Sequence, residues 1–297
     1  MDELGKIFSE RILRLLSEYL KSGRLQEIRI RTEKPLIIIN ETGEHVLNYT
    51  VSREDVKYIL QRISNYSLYA CEEDIRQGFI TIKGGHRVGL AGECVMENGK
   101  IKTIKNIASL NIRICKEIKG CSKEIMKSIY SDKKIYNTMI ISPPKCGKTT
   151  ILRDIARVLS EKGKKVSIID ERSEVAACYQ GIPQMDVGIR TDVLDNCLKS
   201  EGMIMAIRSL SPEVIICDEI GTDKDIEALY MAYNSGVNII VTIHGESIED
   251  LFNRKVFSEV INNNILRRVV ILGTSKGVGT IEKVYSLEGG IKKCLKS

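Results

Sequence analysis

Tryptophan is absent from the 297 residues, and tyrosine and phenylalanine bring the aromatic content to only 5%. Stacking of bases on aromatic rings is a main grip on single-stranded nucleic acid, so a nucleic-acid partner is not expected. Long apolar runs are missing too. Stretches such as VNIIVTI (237–243) fall far short of the roughly 20 residues that span a bilayer, and the chain is not expected to cross one by itself. The N-terminus, MDELGKIFSERILRLLSEYL, mixes charged and apolar residues at helical spacing and has no small-residue cleavage site. It does not read as a signal peptide, and a cytoplasmic location is expected. No CxxC pair occurs among the nine cysteines, and the three histidines do not cluster with them. Free thiols in a reducing compartment fit that pattern, and a zinc site does not.

What is present is an ordinary globular composition, 43% hydrophobic and 28% charged, in a chain long enough for two cores. The net charge of +6 is unevenly placed. Residues 1–134 hold 24 Lys and Arg against 18 Asp and Glu, and the remainder is balanced. Within that part, 100–134 carries ten basic and three acidic residues. This is either a solvated lysine surface or a docking face for acidic lipid headgroups, an acidic protein or nucleic acid.

Residues 1–134 read as an α+β module. An amphipathic helix near 4–20 leads into strands LQEIRIR and LIIIN, and Ser52 with Asp55 three residues on opens a helix to about Ile63. Gly84-Gly85 and Asn98-Gly99 mark turns between strands. From Asn137 short apolar strands alternate with longer helical segments: TMIIS, KVSIID, EVIICDE, NIIVTIH and RVVILG, then an antiparallel GTIEKVYSLEG. The expectation for 135–297 is an α/β domain with a mostly parallel sheet covered on both faces.

Directly after TMIIS come Ser142, Pro143, Pro144, Lys145, Cys146, Gly147, Lys148 and Thr149, then a helix from Thr150 to about Ser160. In a P-loop, backbone N–H groups and a helix N-terminus cradle phosphates, the lysine reaches the β- and γ-phosphates, and the threonine binds Mg²⁺. ATP and Mg²⁺ are therefore the expected ligands, held by Pro143 through Thr150. Ser142 stands where the pattern has its first glycine, and modest strain is expected there because serine is poorly suited to φ > 0. EVIICDEIG ends an apolar strand in Asp218, expected on the metal, and Glu219, expected to position water. VSIID delivers Asp170 and Glu171, with Arg172 and Glu174 beside them, to the same sheet edge. VTIH delivers Thr242 and His244, the histidine being either a γ-phosphate donor or a structural group.

Together SPPKCGKTT, IIDERSEVA, VIICDEIG and VTIHG resemble the motif series of the ATPases that power type II, type IV pilus and type IV secretion systems. ITIKGGHRVGLAGE, SLNIRICKEIKGC, DVGIRTDVLDNC and EGMIMAIRSLSPEVIICDEIG, in this order from about Leu25 onward, are similar to the stage III sporulation protein AA family. Those are ATPases of the mother-cell to forespore channel in endospore-forming bacteria. The resemblance implies a RecA-like P-loop domain, a homo-hexameric ring and membrane-embedded sporulation channel proteins as partners. It also implies a peripheral position on the mother-cell side of the forespore membrane, facing an acidic membrane surface. Glu219, Glu171 and His244 are the chemical groups it implies, with an arginine reaching the phosphates from outside the loop. Arg113 and Arg87 lead, ahead of Arg190 and Arg208. Two other readings compete: a nucleic-acid-dependent RecA-like ATPase, against which the chain's end at Ser297 without an added binding module counts, and an ATP-gated scaffold with little turnover.

Overall fold

The structure, a computed structural model, describes residues 3–67, 71–288 and 291–296. It divides into two units, Met1–Lys116 and Glu117–Ser297.

The first unit is one antiparallel sheet with helices on one face. Its strands are β1 (Leu25–Arg31), β2 (Pro35–Asn40), β3 (Gly43–Thr50), β4 (Phe79–Ile82), β5 (His86–Glu97) and β6 (Lys100–Arg113), in the order β3-β2-β1-β6-β5-β4. The helices are α1 (Glu10–Ser22), α2 (Arg53–Ile63) and α3 (Glu72–Gln77). Strand alternation sends Ile28, Ile30, Val88, Leu90, Leu110 and Ile112 into a core with Ile12 and Leu16 of α1 and Val56 and Ile59 of α2. Arg29, Arg31, Arg87 and Arg113 alternate with these and take the opposite face. Ser52 caps α2 in a full capping box with Asp55, as the sequence predicts. Asn98 and Gly99 both have positive φ, which matches the twist of the long β5–β6 hairpin. At Gly92 a Cβ would stand 2.7 Å from the Lys105 carbonyl, so the bulge there closes only over glycine.

The second unit holds α4 (Lys123–Ile129), β7 (Tyr130–Ser131), β8 (Lys134–Ile135), β9 (Thr138–Ser142), α5 (Lys148–Glu161), β10 (Val166–Asp170), β11 (Thr191–Asp195) and α6 (Lys199–Ser209). It continues through β12 (Val214–Cys217), α7 (Asp223–Asn234), β13 (Asn238–His244), β14 (Arg268–Gly273), β15 (Thr280–Glu288) and β16 (Ile291–Lys296). β7 and β8 pair with each other, and the other eight strands form one mixed sheet, β11-β10-β12-β13-β9-β14-β15-β16. The first six run parallel and the last two antiparallel. Gly289, at the end of the predicted GTIEKVYSLEG strand, lies outside the described residues.

Both faces of this sheet are buried, which is why its strands read as continuous apolar runs. Met139, Ile141, Ile215 and Val241 pack with α6 and α7 on one face. Ile140, Ile168, Ile216 and Val270 pack with α4 and α5 on the other. Ile125, Met126 and Ile129 of α4 belong to that second core, so packing divides the chain at 116/117, ahead of the 134/135 boundary expected from the change in strand and helix pattern.

Candidate nucleotide site

β9 runs straight into its loop because Thr138–Ser142 is fully buried and paired on both sides by β13 and β14. The strain expected at Ser142 is not there. Ser142 is the buried last residue of the strand, its hydroxyl donating to the Pro143 carbonyl at 2.8 Å, and the left-handed positions are Lys145 (φ 61°) and Gly147 (φ 80°). Pro144 and Lys145 are exposed and Cys146 is buried. Gly147 is the N-cap of α5, so no side chain caps the helix and its first N–H groups remain open to a ligand.

The first two residues of α5 meet the end of β12. Lys148 is buried, and its Nζ lies 2.9 Å from Glu219 Oε1. Thr149 donates to Asp218 Oδ2 at 3.0 Å, and the other Asp218 oxygen accepts from Thr242 on β13. Thr242 in turn accepts the Glu219 N–H at 2.8 Å. Burial pushes the Asp218 carboxyl above the usual carboxylate range, against the hydroxyls of Thr242 and Thr149. Glu219 goes the other way, because hydrogen bonding to Lys148 holds it below that range. Glu219 also adopts φ 50°, a conformation that costs a non-glycine residue about 1 kcal/mol or more. That turn takes the backbone out of the strand direction as its carboxylate meets Lys148 and, at 3.7 Å, Arg172.

The β10 end separates two neighbouring acids. Asp170 is buried and accepts the backbone N–H groups of Glu174, Val175 and Ala176 at 2.8–2.9 Å. It is an anchor for the following loop, which Arg153 of α5 holds from the other side through the Glu174 and Val175 carbonyls. Burial, helped by Asp195, pushes Asp170 up to about 6 despite those bonds. Glu171 lines an open cavity with Asp170, Arg172, Glu174, Lys199, Asp218 and Glu219, and it is ion-paired to Lys199. Nothing local in the sequence marks Lys199, whose partner lies 28 residues away.

His244 stands at the same sheet edge, opposite Ser142 in register, with an exposed side chain and its carbonyl taken by Arg254. Thr150 follows in α5. Arg190 is spent on the Ser160 carbonyl, and Arg208 is exposed on α6. Arg87 and Arg113 belong to the first unit, where they are register partners on β5 and β6, with Arg87 stacked 4.1 Å over Phe79.

A profile described as "Sporulation stage III, protein AA" matches residues 1–292. The chain belongs to that family. Its similarity to Stage III sporulation protein AA of Bacillus subtilis (strain 168) is 43% identity, covering 99% of this chain and all of that one. Among solved structures it is similar to the ATPase DotB of Legionella pneumophila, with a TM-score of 0.61 at 15% identity over 95% of this chain and 82% of that one. The pilus retraction motor PilT with bound ADP gives 0.57 at 14% identity over 88% and 77%. At those identities the likeness is one of fold, an α/β architecture with a large mixed sheet.

Proposed function

We propose that this protein is an ATP-hydrolysing motor with a RecA-like P-loop domain, energising assembly or transport through a secretion-type channel needed for endospore formation. The observation that carries the reading is the double contact between α5 and the end of β12: Lys148 with Glu219 at 2.9 Å and Thr149 with Asp218 at 3.0 Å. A threonine hydroxyl beside a carboxylate fits Mg²⁺, and an uncapped helix start beside a buried lysine fits a polyphosphate. Bound Mg²⁺ would neutralise charge developing on the transferred phosphoryl group.

The chain's own residues divide the work. The backbone of 143–147 and the first N–H groups of α5, through Thr150, hold the phosphates. Lys148 exchanges Glu219 for a phosphate oxygen, and the released Glu219 carboxylate orients water and takes up its proton. Thr149 and Asp218 hold the metal, Glu171 supplies a second carboxylate in the cavity, and His244 donates a hydrogen bond from the β13 end. Arg113 and Arg87, neighbours on one sheet face, are the candidates for an arginine supplied between subunits of a homo-hexamer. Partners in this reading are membrane-embedded sporulation channel proteins on the mother-cell side, with the basic 100–134 stretch toward an acidic membrane surface. No described helix is long and apolar enough to cross a membrane.

Phosphate release from Mg²⁺-ATP, run with light scattering, tests the assignment. Lys148→Ala and Glu219→Gln are expected to lower turnover at least 100-fold, and an unchanged rate in both would overturn it. Slow turnover indifferent to Glu219→Gln would favour the gated scaffold, and salt-dependent stimulation by single-stranded DNA the nucleic-acid motor.

A further inference from the structure

Lys199 is costly where it stands. It opens α6, where the helix dipole disfavours a cation, and only 16% of its side chain is exposed. Burial lowers its pKa, yet the hydrogen bond and charge of Glu171, together with the charges of Cys217 and Asp225, leave it raised. The approach that permits the contact is built into the helix. A Cβ on Gly202, one turn on, would stand 2.6 Å from Ile169 Cγ2 and 2.7 Å from Cys197 Sγ, so α6 reaches β10 only with glycine there.

The cavity the pair shares is lopsided in charge. Five carboxylates line it, those of Asp170, Glu171, Glu174, Asp218 and Glu219, against the cations of Arg172 and Lys199. A polyanion entering there meets repulsion unless the carboxylates are held and offset. Resting on the ATPase reading above, we infer that Lys199 is a positioning residue for hydrolysis, fixing the Glu171 carboxylate at the cavity and offsetting its charge while Glu219 handles the water. The contact by which Lys199 would act is its ion pair with Glu171.

A double-mutant cycle on the full chain separates this from an ordinary structural ion pair. Lys199→Met is expected to lower kcat about tenfold with KM for ATP within about twofold, and Glu171→Gln to do the same. The double variant should be no slower than either single, and Lys199→Arg should keep more than half of wild-type turnover. Thermal melts of all four show that they fold. Additive losses, an unchanged kcat in Lys199→Met, or a change confined to KM would overturn the inference. Absence of phosphate release from the wild type would bring down the ATPase reading itself, whereas wild-type turnover with an additive cycle removes only the role of Lys199.

Discussion

Gly147 carries two constraints at once, a φ of 80° and a Val278 methyl 3.3 Å from where a Cβ would stand. Gly147→Ala is therefore expected to cost about 1 kcal/mol in urea unfolding and to weaken binding of a fluorescent ATP analogue at least tenfold. Ser142 has neither constraint, so Ser142→Gly should leave that affinity within about twofold. Asp170 offers a test through pH. Its folded pKa of about 6 lies above the ordinary carboxylate value, so the folded state binds the extra proton, and the stability it contributes is present at low pH and lost as pH rises through 6. The wild-type advantage over Asp170→Asn in unfolding free energy should shrink by about 2–3 kcal/mol between pH 4 and 6.5, and an advantage growing with pH would refute the assignment.

Within the elements, α5 shows how a helix is tied to more than its phosphate end. Asp154, one turn below Thr150, is buried and accepts the Gly120 N–H at 3.0 Å, the Ser122 N–H at 2.8 Å and the Ser122 hydroxyl at 2.6 Å. Burial works against its charge, but Ser122, Arg157 and Gly120 hold its pKa below the usual range. Asp154→Ala orphans the Gly120 and Ser122 donors and leaves Arg157 with Glu161 alone, so a loss of about 3 kcal/mol is expected in equilibrium denaturation, against about 1 kcal/mol for the half-buried cap change Ser52→Ala. Legibility followed burial. β9, β10, β12, β13 and β14 are buried on both faces and announce themselves as apolar runs, and Asp218, Glu219 and Glu171 were readable as acids at their ends. β11 was not, because TDVLD is an edge strand half open to solvent with too few apolar residues to stand out. The part played by Lys199 was equally invisible, since it depends on Gly202 letting two distant elements approach. Asp170 and Glu171 look interchangeable in sequence, and the structure tells them apart by partner: three loop N–H groups on Asp170, Lys199 on Glu171.

For the molecule as a whole, the hydrophobic clusters fall wholly on one side or the other of the 116/117 division. The first unit's core draws on residues between Leu4 and Ile114, and the two cores flanking the large sheet draw on residues from Cys121 to Leu287. A unit with its own core is a cooperative unit, and a fragment of residues 1–116 should fold alone and melt in one transition by circular dichroism. All the phosphate- and metal-binding candidates lie in the second unit, while Arg87 and Arg113 lie in the first. Linkage then sets what ATP does to each. Mg²⁺-ATP at about 100 times its dissociation constant adds about 2.7 kcal/mol to whatever binds it, which for a domain of this size raises the melting temperature by roughly 5–10 °C. The fragment of residues 1–116 should show no shift, a fragment of residues 117–297 should show it if it folds separately, and the full chain should show it in one transition. Loss of the shift in Lys148→Ala would assign it to the α5 site, whereas an equal shift in that variant would place the binding elsewhere.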